Sequence, residues 1–263
     1  MKARESVHIP KVFFSVAPLD HYLPFTLAKL NPKKGARKTS TPQVYFHFYP
    51  ELKEKIADVQ NSEKRVKAER TFFTDLFKEN RQEMENARPK IQNVWDGINR
   101  DVMQALSDIM EIGWPATDKK FTANITLNPI CPRYLKSRSF DVFFRDERNS
   151  INTIEMIAVH EILHFIYFEK WKEVFPETDE AEFNTPHLVW KLSEMVPAIL
   201  LNDVRMQNIV KLKFRCYTEF EQCMIGKRHL LSYLQEFYDL RKSMADFLTR
   251  SWEFVRAHRN EIP

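Results

Sequence analysis

Apolar residues recur at intervals of three and four through the middle of this chain, the spacing that gathers side chains on one face of a helix. From Pro50 to Ile112 they stand among charged residues in two successive series. The series are Ile56, Val59, Val66, Phe72, Phe73, Leu76 and Phe77, then Ile91, Val94, Trp95, Ile98, Val102, Leu106, Ile109 and Met110. The segment Gly113-Trp-Pro115 follows, a combination that ends helices. The pattern therefore predicts helix over most of 50–112.

Two later segments alternate apolar and polar residues, as strands with one buried face do. They are 121–129 and 139–145. Residues 1–50 contain prolines at six positions between short apolar pieces, so we predict irregular structure there, with one strand at 44–49. The strands are few and short, which predicts a small sheet.

The second half of the chain has the pattern of helices interrupted by one acidic loop. A helix is predicted at about 151–171, and the polar, acidic segment 176–184 follows it. The pair Thr185-Pro186 combines residue types that start helices, so a further helix is predicted to begin there. The remainder, 203–263, keeps the helical spacing, with Gly226 as a break.

Glycine content bears on the fold class, because tight β-turns depend on glycine. The chain has 4 glycines among 263 residues, so little hairpin or barrel structure is expected. The predicted fold class is α+β, predominantly helical, with a small sheet and helical N- and C-terminal parts. A mostly helical N-terminal region, 1–112, would precede a second region, 113–263, although a single domain of this length is also compatible with the composition.

Charge and polarity narrow the range of partners. The formal net charge is +4, and the dense basic cluster Lys33, Lys34, Arg37 and Lys38 lies in a segment typical of a solvated loop, so no nucleic-acid partner is expected. No run approaches the roughly 18 apolar residues of a membrane span. The first residues also lack the apolar core of a signal peptide. We therefore expect a cytoplasmic protein with no membrane partner.

The three cysteines are Cys131, Cys216 and Cys223, an odd number without Cys-x-x-Cys spacing. The last two are seven residues apart in a stretch predicted to be helical, which places them about two turns apart and out of reach of a disulfide. Reduced thiols in a reducing compartment are the expectation.

The segment Val159-His-Glu-Ile-Leu-His-Phe165 places two histidines four residues apart, with a glutamate after the first. Side chains four apart on a helix lie one above the other, so His160 and His164 can both direct a ring nitrogen to one ion. Nitrogen ligands at about 2.0–2.1 Å are typical of tetrahedral zinc. Glu161 projects about 100° round the helix, where a carboxylate can reach a water on the metal without becoming a ligand. The segment predicts a catalytic Zn²⁺ site with Glu161 as general base.

The order of helix, two strands, His-Glu-x-x-His helix, acidic loop and helix resembles the zincin metallopeptidases over roughly 90–205. The metzincin subgroup continues the motif with glycine and histidine at the positions that Tyr167 and Lys170 occupy here, so that subgroup is excluded. The resemblance therefore implies a zincin-like small sheet with an active-site helix and a later helix that supplies the third ligand.

The thermolysin-like gluzincins take that third ligand from a glutamate on a later helix. Glu194 matches this place, with 29 residues between it and His164. Gluzincins often carry an aspartate four residues after the glutamate, and Ala198 stands there in this chain. His187, seven residues before Glu194, is an alternative ligand. Further alternatives are the loop acids Glu177, Asp179, Glu180 and Glu182.

The resemblance also implies a reaction on peptide bonds. Glu161 would accept a proton from the attacking water and deliver it to the leaving amine. The substrate would be a peptide or protein, bonded through its backbone to an edge strand at 139–145. A donor to the oxyanion would come from the C-terminal part of the chain, where the candidates are His229, Tyr217 and Tyr233.

Other interpretations fit the same residues. One is a zinc hydrolase that acts on a non-peptide amide. Another is a non-enzymatic protein that keeps the zinc for folding and binds a partner, although a structural site needs no base and Glu161 is intact. The last is an ordinary core helix with hydrogen-bonded histidines, in which burial without an ion would cost roughly several kcal/mol. The sequence leaves the oligomeric state open.

Overall fold

The computed structural model describes residues 8–32, 41–145 and 147–263. The basic cluster at 33–38 lies outside these ranges. Within them, helices are the main element and a small mixed sheet accompanies them, so the predicted α+β, predominantly helical class is confirmed. None of the described helices combines the length and the apolar composition that crossing a lipid bilayer requires.

The helices, in chain order, are α1 (Leu19–Leu30), α2 (Thr41–Phe48), α3 (Pro50–Ile56), α4 (Ser62–Met110), α5 (Glu147–Val174), α6 (Leu188–Met195), α7 (Pro197–Leu200), α8 (Val204–Val210), α9 (Thr218–Glu221), α10 (Leu230–Asp239) and α11 (Met244–Ala257). The strands are β1 (Lys11–Val16), β2 (Lys120–Thr126), β3 (Arg133–Tyr134), β4 (Ser139–Phe143), β5 (Met224–Ile225) and β6 (Arg228–His229). A short 3-10 helix spans Glu180–Phe183.

Contacts divide the chain into two compact units. The sheet unit comprises the described residues of Val12–Asp96 and Lys120–Ala158. The motif unit comprises Gly97–Lys119, Val159–Pro263 and the described part of Met1–Lys11. Each unit therefore contains residues from both sides of the boundary proposed between 112 and 113.

The sheet unit is built on four strands in the order β1-β2-β4-β3. Strands β2 and β4 are parallel, in a register that pairs Thr122 with Ser139 and Thr126 with Phe143. Strand β3 is antiparallel to β4. The strands predicted at 121–129 and 139–145 are thus confirmed as β2 and β4, but their burial does not alternate, because the last four residues of each strand are all buried.

The position of β4 in the sheet differs from the prediction. It lies between β2 and β3, so the expectation of an edge strand at 139–145 is wrong. Phe140 pairs with Arg133, and the Asp141 amide donates to the Pro132 carbonyl at 2.9 Å. The backbone groups expected to bond a peptide substrate at the start of β4 are therefore engaged by the segment that contains β3.

The side chain of Gln92 forms hydrogen bonds with the backbone of the edge strand β1. The Phe14 amide donates to Gln92 Oε1 at 2.9 Å, and Gln92 Nε2 donates to the Val12 carbonyl at 3.0 Å. One amide side chain of α4 thus pairs with a backbone donor and a backbone acceptor of β1. An edge strand has no neighbouring strand to bond these groups, so they need another partner.

Residues 44–48 lie in α2 and Tyr49 is the N-cap of α3, so the predicted strand at 44–49 is wrong. Tyr45, Tyr49, Leu52 and Ile56 are all buried and recur at helical spacing through α2 and α3. They join a core cluster with Leu23, Leu27 and Leu30 of α1. The local alternation of 44–49 was misleading because the longer series, which continues beyond Pro50, has the period of a helix.

The core of the motif unit surrounds the second half of α5. From Val159 to Phe168 every residue is buried except His160, which is partly exposed. A helix that is apolar on all sides is typically enclosed by other elements. Here the Phe168 ring stacks on Phe183 of the 3-10 helix with centroids 4.4 Å apart, and Trp171 meets Trp252 of α11 edge to face at 5.3 Å.

The C-terminal part departs from the continuous helix that the spacing predicted. Helix α6 begins at Leu188 with His187 as N-cap, not at Thr185-Pro186. A two-strand hairpin, β5-β6, interrupts the helices, and the predicted break at Gly226 is confirmed because its φ is 60° in the turn. Cys216 lies in a non-helical segment, and all three cysteines are free thiols.

Candidate metal centre

Helices α5 and α6 bring three side chains together within the motif unit. His160 and His164 stand one turn apart on α5, and their Nε2 atoms are 3.1 Å apart. Glu194 Oε2, from α6, lies 3.5 Å from His160 Nε2 and 3.7 Å from His164 Nε2. In the part of the chain that the structure describes, these three side chains are the group whose ligand atoms converge closely enough to hold a metal ion.

The spacing of the three ligand atoms fits a small tetrahedral ion. Ligand atoms about 2.0–2.1 Å from a tetrahedral metal stand about 3.3–3.4 Å from one another. The two distances from Glu194 to the histidines, 3.5 and 3.7 Å, are longer than ordinary hydrogen bonds of about 2.7–3.2 Å but close to this value. The donor set of two imidazoles and one carboxylate is also typical of catalytic zinc sites.

Burial differs sharply between the three side chains. The side chain of His164 is 0% exposed and that of Glu194 is 4% exposed, whereas that of His160 keeps 23% of its surface in solvent. A buried carboxylate is costly unless a positive charge or a hydrogen-bond donor offsets it, and a bound divalent cation would supply that charge. Solvent and any ligand reach the group on the side of His160.

Glu161 follows His160 directly and is 7% exposed. Its side chain leaves α5 about 100° round from that of His160, and it is not one of the three converging ligands. The adjacent position in a largely dry environment is compatible with the predicted role as a base, in which a carboxylate moves a proton without coordinating the ion.

The alternative third ligands lie elsewhere in the motif unit. His187 is exposed at the start of α6. Asp179 accepts a hydrogen bond from the Ala181 amide, and Glu180 forms an ion pair with Lys172 at 2.8 Å. Geometry therefore favours Glu194 over these residues as the third ligand.

The candidate oxyanion donors are not placed together. His229 is exposed on β6 and lines a shallow depression with Arg215. Tyr217 is 48% exposed, and its ring packs against Trp190, four residues before Glu194 on α6, with centroids 6.2 Å apart. The role of either residue as a donor stays a prediction, and so does that of Tyr233, whose hydroxyl donates to the Ile225 carbonyl.

A second polar cluster, in the sheet unit, was missed from the sequence. The fully buried Asp141 carboxylate accepts from His21 Nε2 at 2.8 Å, from Asn124 at 3.2 Å and from Tyr134 at 3.3 Å. The hydrogen bond to Asp141 raises the pKa of His21. No local pattern could have found the pair, because the two residues are 120 positions apart.

Comparison with models of known protein families, with curated protein sequences and with solved structures finds no match to this chain. The functional argument therefore depends on the geometry of the site and on the motif.

Proposed function

We propose that this chain is a zinc-dependent metallopeptidase in which His160, His164 and Glu194 hold one Zn²⁺ and Glu161 is the general base. The observation that carries the proposal is the convergence of three ligand atoms at 3.1, 3.5 and 3.7 Å from one another, beside a glutamate that is not a ligand. A hydrogen-bonded core histidine pair would not require a buried carboxylate at these longer distances from both rings.

The proposed reaction requires an ion to polarise the substrate and a base to move a proton. A zinc ion with three protein ligands acts as a Lewis acid and lowers the pKa of water in its open position. Glu161 accepts the proton of the attacking water and delivers it to the nitrogen of the leaving amine. The nearly complete burial of His164 and Glu194 fixes their side chains and excludes bulk water from two sides of the site. Substrate approaches past the partly exposed ring of His160.

The decisive experiment replaces the base and keeps the ligands. Glu161→Gln retains the shape of the side chain but cannot accept the proton. We expect zinc content to stay at one ion per chain, while the rate of peptide hydrolysis falls by about 10²–10⁴-fold. Elemental analysis of the purified variant and a peptide-library cleavage assay measure the two quantities.

Glu173→Gln is the matched control, because Glu173 is an exposed carboxylate on the same helix. Its partner is Lys170, not a residue of the candidate metal centre. It should keep both zinc and activity. Undiminished hydrolysis by Glu161→Gln would show that another residue moves the proton. Cleavage of non-peptide amides in place of peptides would keep the zinc chemistry and change the substrate class.

A further inference from the structure

The imidazole ring of His164 contacts the rings of both neighbours one turn away on α5. The Phe168 ring is nearly parallel to it, with the two planes 19° apart and the centroids separated by 6.2 Å. The His160 ring meets it edge to face, with centroids 4.8 Å apart. Ring pairs at such separations attract each other beyond the burial of their apolar area. The buried ligand of the candidate centre is thus packed against a second metal ligand and against a phenylalanine.

The helix alone does not determine where the ring nitrogens of His164 point. The backbone of α5 fixes the Cβ atom, but rotation about the bond from Cβ to the ring has only a broad preference. In the observed orientation, Nε2 lies 3.7 Å from Glu194 Oε2 and 3.1 Å from His160 Nε2. The His164 side chain is 0% exposed, so the groups packed around the ring, including the parallel Phe168, determine this orientation.

The Phe168 ring is held in turn by Phe183, which lies 19 residues after His164 in the chain. The rings of Phe168 and Phe183 are 25° from parallel, and their centroids are 4.4 Å apart. Both side chains are buried, with 2% and 1% of their surface exposed. We call the rings of His164, Phe168 and Phe183 the ring stack. It leads from a candidate metal ligand to the segment predicted as an acidic loop.

The acidic segment folds into the short 3-10 helix that carries Phe183 as its last residue. Asp179 caps this helix, because its side chain accepts a hydrogen bond from the Ala181 amide at 2.8 Å and its carbonyl accepts one from the Glu182 amide at 2.9 Å. The 3-10 helix also packs against α6, the helix that carries Glu194. An acidic residue of the segment therefore shapes the turn from which Phe183 reaches α5.

A lysine of α5 joins the same turn to the helix. The Lys172 ammonium lies 5.6 Å from the centre of the Phe183 ring and donates to Glu180 Oε1 at 2.8 Å. Attraction to the ring face and to the carboxylate both favour the observed position of the 3-10 helix on α5. Phe183 is thus restrained by Phe168, by its own capped turn and by Lys172.

We propose that Phe183, acting through Phe168, is a positioning residue for the metal ligand His164. The acidic segment would then serve the centre by holding Phe183, not by supplying a ligand. The proposal rests on the metal centre of the function proposed above. It gives a role to residues 176–184, whose acids the sequence offered as alternative third ligands.

The test replaces the ring of Phe183 in the full chain by a non-planar apolar side chain. In Phe183→Leu the position stays apolar, but the ring stack loses its last member. We expect zinc affinity, measured by competition with a chromophoric chelator, to fall about tenfold, as it does when a group that orients a ligand is lost. The visible absorption spectrum of the protein loaded with Co²⁺ should also change, because its bands depend on the arrangement of the ligands.

Phe247→Leu is the matched control for the loss of a buried ring. Phe247 lies in α11, is 0% exposed and meets the Tyr238 ring edge to face, outside the ring stack. Both leucine variants should lower Tm, since each leaves a cavity in the core. The Phe247 variant should keep the zinc affinity and the cobalt spectrum of the wild type. If Phe183→Leu does not fold, Phe183→Met provides the same comparison, because the flexible methionine side chain fills irregular space.

The outcomes separate positioning from general stability. A Phe183 variant with wild-type zinc affinity and cobalt spectrum overturns the proposal. A Phe247 variant that changes both quantities to the same extent overturns it as well, because the effect would then come from loss of core packing in general. A wild-type chain that holds no zinc is a different result, since it overturns the metal centre itself and the role of Phe183 with it.

Discussion

Glu194 contributes a carboxylate to the candidate centre from a position with almost no exposed surface. Its neighbours on α6, Leu192, Ser193 and Met195, are also buried, so the side chain has little freedom to turn away from α5. Preorganised ligands of this kind bind an ion without a large entropic cost of ordering. The same burial makes the residue sensitive to substitution, because no alternative carboxylate lies beside it in the group of three.

We predict that Glu194→Ala lowers zinc affinity by more than about 100-fold, since loss of a direct ligand should cost at least as much as loss of a residue that supports one. The zinc content of dialysed protein should fall well below one ion per chain. Glu182→Gln, a variant of a loop acid, should keep its zinc. Loss of zinc from the Glu182 variant, with retention by the Glu194 variant, would reassign the third ligand to the acidic loop.

Individual site residues differ in how far the sequence could predict them. His160, Glu161 and His164 lie within one helical turn, so helix geometry fixes their relation and the spacing alone predicts it. Glu194 was selected by resemblance, and its approach to α5 depends on packing across an intervening loop. The contact between His21 and Asp141 joins residues 120 positions apart, and only the assembled sheet unit brings them together.

Helix α1 is joined to the sheet by the hydrogen bond between His21 and the buried Asp141 of β4. Asn124 of β2 and Tyr134 of β3 bond the same carboxylate, so the three strands present one acceptor to the helix. The hydrogen bond to Asp141 raises the pKa of His21 above its ordinary value.

Because the pKa of His21 is raised in the folded state, the stability that the pair contributes must decrease as pH rises. The pair stabilises the fold fully below the unfolded-state pKa of about 6.5, and that stabilisation is lost as pH rises through the higher folded-state pKa. We predict that His21→Gln lowers the free energy of unfolding by about 1 kcal/mol near pH 6, with a difference that shrinks towards pH 9. Urea denaturation of both proteins across this range measures it. A difference that grows with pH would contradict the assignment.

The sequence predicts a helix or strand correctly where its apolar residues follow one clear spacing. It does not where helical and strand spacings overlap in the same segment. Helices α4 and α5 and strands β2 and β4 follow from their spacing. Residues 44–49 alternate locally but belong to a helical series that runs on to Ile56, so a short window gave the wrong period. The position of β4 inside the sheet depends on β3, which has two residues and no pattern of its own.

For the whole molecule, an ion bound by α5 and α6 would couple metal occupancy to stability, because the three ligands belong to helices that the unfolded chain does not hold together. At an available zinc concentration of about 100 times Kd, binding contributes about 2.7 kcal/mol. In a chain of this size that free energy corresponds to a shift in Tm of roughly 5–10 °C.

We therefore predict that chelation lowers Tm by roughly this amount and that added zinc restores it, as measured by differential scanning calorimetry. The Glu194→Ala protein should show no comparable response to chelator. A wild-type Tm that does not change on chelation, with zinc removal verified by elemental analysis, would contradict a metal site built into the fold.

The side-chain amide of Gln92 bears on whether strands of other molecules can pair with the edge strand β1. An outer strand with open amides and carbonyls is a template on which further chains can stack, and β1 also exposes the aromatic side chain of Phe13. Because Gln92 occupies the Val12 carbonyl and the Phe14 amide, that template is blocked at its centre. A glutamine of α4 thus occupies two of the backbone groups through which a further strand could pair with this edge of the sheet.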